Sequence, residues 1–528
     1  MIRIDEHVKR SIDQVFSYWD RPGSPGAALA VTIDGELAYA KGYGMANLEY
    51  GLPIIKETIF HVASVSKQFT AMAVMLLVEE GRLSLDEDIH TYLPELPDFG
   101  HKITLAHLLH HTSGLRDQWE LLVTAGWRMD DVITREQILK LVHRQRQLNF
   151  QPGAEYLYSN TGFTLAAEIV HRVSGQTLRE FCAQRIFTPL GMMNTHFHDD
   201  HQEIVPNRAY SYAPQGEEGW RKAVLSYATV GATSLFTTVV DLAKWLHNFA
   251  THTVGSAATF QRMQTEFTLL DGTPSDYGLG LMLNHYHGLR EVGHSGADAG
   301  FRAWCGRFPE RGLGIVILSN FACAIPRDLA HQVAEILLPE LRQEVAPSEL
   351  PRAEDYQGEY FLLTDGTPIS LQLRGEELHF HWAGRGEGLL QAVAADTWDC
   401  PELGMRIVGT NPGNGRIERL ALQSPRMNLG ARRLPAYQIS VEQLAAYEGE
   451  YYAEELAVTY HLQVRSDKLV ATSLRHSDLP LIPSGPDAFI GGQARVGDIQ
   501  FQRDESGRIT GMYWSGNRVR NLWFERRN

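Results

Sequence analysis

Residues 61–81 read HVASVSKQFTAMAVMLLVEEG. Beyond its first turn this stretch offers almost only apolar side chains, so a helix made of it belongs inside a core. Ser64 and Lys67 stand three apart at its mouth, a spacing that sets two side chains on one helix face. Desolvation favours the neutral form of such a lysine. A neutral amine beside a serine hydroxyl can take the proton whose removal makes the oxygen a nucleophile. The electropositive N-terminal end of the helix favours the negative charge that then develops. Alone, however, the S-x-x-K spacing is common by chance and also describes a capping serine beside a snorkelling lysine.

Two further motifs change its weight. FQPGAEYLYSNTGF, residues 150–163, holds Tyr158 and Asn160 in a Y-x-N triplet behind a Pro-Gly turn. REVGHSGADAG, residues 290–300, holds His294 and Gly296 in an H-x-G triplet on a strand-like segment. Serine with lysine, then tyrosine with asparagine, then a basic residue with glycine, in that order, resembles the penicillin-recognising serine hydrolases. That group includes class C β-lactamases, DD-peptidases, related esterases and D-aminopeptidases. The blocks SVSKQFTA, LAHLLHHTSGL and GATSLFTTVVDLAKWL extend the likeness over about the first 340 residues.

The resemblance implies a serine β-lactamase-like domain and gives each matched residue a role. Ser64 becomes the acylated nucleophile, and Tyr158 and Lys67 share the proton transfers. Asn160 orients the substrate amide, and the oxyanion hole is made by the backbone N–H groups of Ser64 and Ala297, just past Gly296. A tyrosine phenolate at neutral pH needs its pKa lowered by about 3 units, roughly 4 kcal/mol. Tyr158 and Lys67 therefore titrate as a coupled pair, and the sequence leaves open which of them is the base. His294 departs from the lysine usual in class C β-lactamases and DD-peptidases. An imidazole is mostly neutral near pH 7, which disfavours substrates ending in a carboxylate. The D-aminopeptidases of the group carry histidine at this triplet and have two C-terminal β barrels. They also send a loop of the last barrel into the cleft. The matching stretch here is RHSDLPLIPSGPDAF within residues 473–489, with Asp478 as the expected counter-ion for a substrate ammonium.

The remaining chain agrees with that layout. GAALAVTIDGELAYAKGYG sets two apolar runs about Asp34-Gly35, a type I′ hairpin signal, and FRAWCGRF with GLGIVILSNF flank a second turn, PERG. In TLAHLLHHTSGL, Thr104 is placed to cap a helix and Gly114 to end it. Strands at both ends and helices between them predict one α+β domain, an antiparallel sheet flanked by helices, over residues 1–340. A proline-containing charged stretch, LPELRQEVAPSELPRAEDY, reads as a linker. Beyond it YQGEY at 356–360 recurs as YEGEY at 447–451, and LQLRGEEL recurs as LQVRSDKL in the same register. Short alternating segments between Gly, Asn and Asp turns predict two small antiparallel, lipocalin-like β barrels, residues 352–435 and 440–528.

The formal charge of −15 over 528 residues argues against a nucleic-acid partner. No stretch matches a signal peptide or a membrane span, so no membrane partner is expected. Four scattered cysteines suit a reducing cytoplasm. His196, His198 and His201 in THFHDDHQE lack a second ligand cluster and read as a polar surface loop, so no metal is expected. His107, His110 and His111 read as packing and loop-shaping residues. GHSGA is not a G-x-S-x-G elbow, since its second glycine comes one place early. No cofactor is required, the partners are a small-molecule or short-peptide substrate, and a homo-oligomer is compatible with the sequence. The expected activity is a serine aminopeptidase or amidase releasing N-terminal D-residues. An esterase or β-lactamase-like hydrolase with the same centre, and a penicillin-binding or scaffold protein without turnover, are the alternatives.

Overall fold

A computed structural model describes residues 2–216, 219–342, 350–364, 366–413, 415–475, 478–491 and 497–527. Much of the expected linker, residues 343–349, lies outside the described residues. The chain divides into two compact units, Met1–Gln118 with Met129–Gln343, and Trp119–Arg128 with Glu344–Asn528.

In the first unit, strands Ala27–Ile33 and Glu36–Tyr43 form the first hairpin. Asp34 and Gly35 have φ of 53° and 87°, the positive pair that a type I′ turn demands. The sheet is antiparallel and six-stranded, in the order Met282–Tyr286, Leu289–Asp298, Phe301–Phe308, Leu313–Ser319, Ala27–Ile33, Glu36–Tyr43. Its first and last hairpins are joined by pairing of Ala27–Ile33 with Leu313–Ser319. Leu29, Val31, Ile315 and Ile317 pack with Ile12 and Phe16 of the opening helix Glu6–Phe16 and with Val333 of helix Pro326–Leu337. Helix Val239–Thr251 takes the intervening residues, its Leu246 lying against Gly314. A sheet covered on both faces needs an unbroken apolar strand, which explains the run Ala27–Val31.

Helix Ser66–Glu79 is buried from Ser66 to Leu77 and packs against helix Asn160–Ser174. A smaller sheet places Leu235–Thr237 between Phe60–His61 and His196–Phe197. The helix starting at Thr104 is shorter than expected. Thr104 and His107 form a reciprocal capping box, but the helix ends at Leu109 rather than running to Gly114. His111, at φ 60°, turns the chain away. No helix among the described residues is long and apolar enough to cross a membrane, and all four cysteines are free thiols.

In the second unit the repeats become two β structures. The second is a closed eight-stranded barrel; the first is a nine-stranded antiparallel sheet. Its edge strands, Gly386–Leu389 and Gln391–Ala394, are consecutive in the chain, so the edges approach at residue 390 without a closing ladder. The repeated tyrosines do the same work in both. Tyr360 donates to Tyr356 O at 2.8 Å and Tyr451 to Tyr447 O at 3.0 Å. Residues 119–128 belong with this unit. There Tyr460 donates to Thr124 O at 2.8 Å, the Arg518 N–H donates to Glu120 Oε2 at 2.6 Å, and Arg475 lies 5.1 Å over the Trp127 ring.

One expectation is corrected here. Most of the stretch expected to be a cleft-entering loop is barrel wall, strands Leu479–Gly485 and Ala488–Gly491 paired with each other. Leu479 and Leu481 are buried in alternation, and Phe489 and Ile490 are buried on the strand paired with theirs, which commits the segment to the ladder. Residues 476–477 lie outside the described residues. Asp478 is exposed and its carboxylate pairs with Arg465 at 2.9 Å.

Candidate active site

The serine is presented by a strained turn. After strand Phe60–His61, Ala63 takes φ 48°, a left-handed conformation that costs a residue with a Cβ about 1 kcal/mol or more. Ser64 sits in the single 3₁₀ turn Ala63–Val65 that runs into the long helix, so the pair straddles the helix start instead of lying within it. Ser66 fixes the turn: its hydroxyl donates to Ala63 O at 2.5 Å and accepts the Leu235 N–H at 3.0 Å.

Lys67 is fully buried. Its Nζ lies 3.0 Å from Ser64 Oγ, 2.8 Å from Asn160 Oδ1 and 2.7 Å from Ala232 O. The last two are obligate acceptors and consume two N–H groups, the number a neutral amine has. The Ser64 contact is therefore open to the amine's lone pair as well as to a third N–H. Asn160 is the first residue of its helix, and its side-chain orientation is set by Asp117, whose Oδ2 accepts both the Asn160 backbone N–H and Nδ2–H at 2.7 Å. Asp117 is buried, as is Thr161, whose hydroxyl donates to Arg116 O at 2.7 Å and accepts the Gln118 N–H at 2.9 Å. Residues 116–118 thus hold the start of the asparagine helix.

Tyr158 brings its ring to the same place. Lys67 Nζ is 4.8 Å from the ring centroid, and the His111 ring lies 4.1 Å away on centroids. His111 is buried and accepts the Ser159 N–H on Nδ1 at 3.1 Å, which holds the tyrosine loop. The Tyr277 and His294 rings complete the surround at 6.4 and 6.1 Å.

His294 is buried with both ring nitrogens occupied. Nδ1 donates to Ser295 O at 2.6 Å, and Nε2 accepts from the Tyr277 hydroxyl at 2.8 Å. Burial raises the Tyr277 pKa well above the usual phenol value, so this hydroxyl stays a donor. Desolvation, and then the nearby Lys67 charge, push His294 down to about 3. The residue is a neutral imidazole of fixed tautomer, not a cation facing the substrate. Gly296 follows two places on, where the strand crosses the serine turn. A Cβ there would stand 2.2 Å from Val62 O and 3.2 Å from the Ser64 nitrogen, so only glycine allows the approach. Ala297 follows, exposed, opposite Arg302 in the ladder.

The structure thus gathers Ser64, Lys67, Tyr158, Asn160, His294 and Gly296 in the first unit, whereas Asp478 belongs to the second. It also adds residues that motif reading passed over. Asp117 lies three residues past the glycine of HTSGL, and Tyr277 comes from a stretch with no motif. Asp298, bonded to His61 at 3.1 Å and to the Thr233 hydroxyl, ties the end of the H-x-G strand to the segments flanking the site.

The beta-lactamase family model matches residues 12–337, more than half of the chain. The chain belongs to the beta-lactamase family. With that membership and the Ser64–Lys67 pair, it is a serine hydrolase. Among curated relatives, a D-aminopeptidase of Brucella anthropi is 26% identical over 500 residues, covering 92% of each chain. A D-aminopeptidase of Gluconobacter oxydans is 30% identical over 305 residues, 57% of each chain. Among solved structures, an octameric penicillin-binding protein homologue from Pyrococcus abyssi aligns with a TM-score of 0.59 at 25% identity, covering 80% of this chain and 99% of that one. D-amino acid amidase from Ochrobactrum anthropi, complexed with D-phenylalanine, aligns with a TM-score of 0.53 at 24% identity, covering 63% and 99%. This last likeness concerns the fold alone.

Proposed function

We propose that this family member is an aminopeptidase or amidase releasing N-terminal D-residues from short peptides, amides or esters through an acyl-enzyme on Ser64. The observation that carries the reading is Lys67 Nζ at 3.0 Å from Ser64 Oγ, its other donors directed to Asn160 Oδ1 and Ala232 O. The Ser64 oxygen attacks the substrate carbonyl as its proton passes to Lys67, beside Tyr158. The backbone N–H groups of Ser64 and Ala297 receive the oxyanion. The leaving amine takes the proton back, and water, activated by the same groups, releases the acid and restores Ser64.

The neutral His294 supports the substrate class. A cation at this strand would favour a carboxylate tail, and a buried imidazole with a pKa of about 3 supplies none. The full-length likeness to D-aminopeptidases favours an amine-bearing substrate of D configuration. Asp478 stays the proposed counter-ion for the substrate ammonium; its exposed carboxylate, 2.9 Å from Arg465, is held only by a weak surface ion pair. The homo-oligomer is also part of the reading, supported by the octameric Pyrococcus abyssi homologue and checked by light scattering. A cytoplasmic location rests on the free cysteines.

The test is a substrate panel with the full chain and with Ser64→Ala: D-alanine p-nitroanilide, its L-enantiomer, a short acyl ester and a chromogenic cephalosporin. Release from the D-amide and not from the L-amide, lost in the variant, is expected. Ester turnover without D-amide turnover gives the esterase instead, and acylation without release gives the penicillin-binding protein.

A further inference from the structure

THFHDDHQE is a polar surface loop only in its second half, where Asp200, His201 and Gln202 are exposed; His196 and His198 turn inward. His198 is 3% exposed and His196 is half-buried; both rings pack near Phe236, with centroids 4.5 and 5.7 Å from it. Their alternation about Phe197 on strand His196–Phe197 turns both imidazoles to one side of the strand. Among the described residues, His196 Nε2 and His198 Nδ1 are buried and have no hydrogen-bond partner. A buried polar nitrogen without a partner costs about 1–3 kcal/mol, which a bound ion or water beside the two would relieve.

A third donor is already in place. One ligand atom each from His196, His198 and Glu203 lie within 4.8 Å of one another, and His198 Nδ1 is 3.5 Å from Glu203 Oε2. Donors around a tetrahedral zinc at 2.1 Å are separated by about 3.4 Å, so this pair already stands at ligand spacing. Arg179 holds Glu203 through both carboxylate oxygens, at 2.6 and 2.7 Å, and reaches Asp199 at 3.0 Å. Each carboxylate oxygen has a second lone pair, so an arginine on Glu203 orients it as a ligand without excluding a metal. The Arg208 guanidinium lies over the Phe236 ring, 4.8 Å from its centroid.

We propose that His196, His198 and Glu203 bind one divalent transition-metal ion of the zinc type, with a fourth position left to water. The ion would sit on an edge strand of the three-stranded sheet. Phe236 on the central strand pairs with His196 on one side and His61 on the other, and His61 leads directly to the Ser64 turn. The metal therefore braces the sheet and takes no part in acyl transfer.

The test begins with protein dialysed against a chelator, then titrated with zinc and, separately, with cobalt(II) as a spectroscopic probe. One ion per chain is expected, with visible bands of low-symmetry cobalt. A rise of about 3–5 °C in the thermal midpoint under excess zinc is expected too. Ser64→Ala should bind equally well. Glu203→Gln, which keeps an acceptor for Arg179, and His196→Asn should each lose at least tenfold in affinity. No stoichiometric ion on the wild-type chain, or unchanged affinity in both variants, would overturn the site. Because Glu203 is only half-buried, its variant separates ligand loss from failure to fold, which circular dichroism checks.

Discussion

His294 beside Ser64 and the pair His196 and His198 around Phe236 occupy the same unit and are treated differently. Beside Ser64, His294 has both ring nitrogens bonded, Nδ1 donating to Ser295 O and Nε2 accepting from the Tyr277 hydroxyl, so its tautomer and ring orientation are fixed. Around Phe236, His196 and His198 each keep a buried nitrogen unbonded among the described residues. A satisfied polar network holds geometry, whereas an unsatisfied one marks a place that something else must fill. The first arrangement suits acyl transfer, in which fixed dipoles meet a developing charge. The second suits an ion that arrives with its own charge.

The sharpest way to break the first arrangement is Lys67→Met, which keeps the volume and removes the amine. Turnover of the best panel substrate should fall about 10²–10⁴-fold, the usual yield of general acid–base catalysis. A burst of acylation followed by a stalled acyl-enzyme, seen by mass spectrometry, would show that Lys67 matters most for deacylation. Retained turnover would leave Tyr158 as the base.

Those residues were legible because the chemistry imposes short, fixed spacings: S-x-x-K and Y-x-N each span the start of a helix, and H-x-G sits on one strand. The first hairpin was legible for a similar local reason, Asp34-Gly35 at positive φ. Asp117 and Tyr277 act across long sequence separations, and no local pattern marks a residue whose partner lies 43 or 17 positions away. The barrel strands at 479–491 were misread as a loop because two prolines and a Pro-Asp turn conceal their alternation. His196 and His198 were misread because acidic neighbours suggest solvent, while burial there comes from Phe236, which is distant in sequence.

A milder break tests whether positioning matters as much as contact. Asp117→Asn removes the carboxylate that holds the Asn160 backbone and side chain together. Hydrogen bonds to a charged group are worth about 1.5–3 kcal/mol, so kcat should fall about 10- to 100-fold with KM little changed. Asp117→Glu should recover part of the loss. Equal falls in kcat and thermal midpoint, with no recovery by glutamate, would make Asp117 a folding residue and nothing more.

The last test, on stability and not on turnover, is the acid response around Tyr277. His294 is lowered to about 3 by burial and then by Lys67, and His110 to about 4 by burial. His110 Nδ1 bonds Tyr277 O at 2.9 Å, so the two histidines flank one tyrosine. In the unfolded chain both titrate near 6.5, so between that pH and about 4 unfolding takes up a proton at each. Their contribution is complete above pH 6.5 and is lost as pH falls, at about 1.4 kcal/mol per pH unit per histidine. Urea unfolding followed between pH 7.5 and 5 measures the slope, and His110→Asn should reduce it by one proton without altering the substrate profile. A slope unchanged by that substitution would mean that His110 is already charged in the folded protein, and that the network around Tyr277 is looser than its distances suggest.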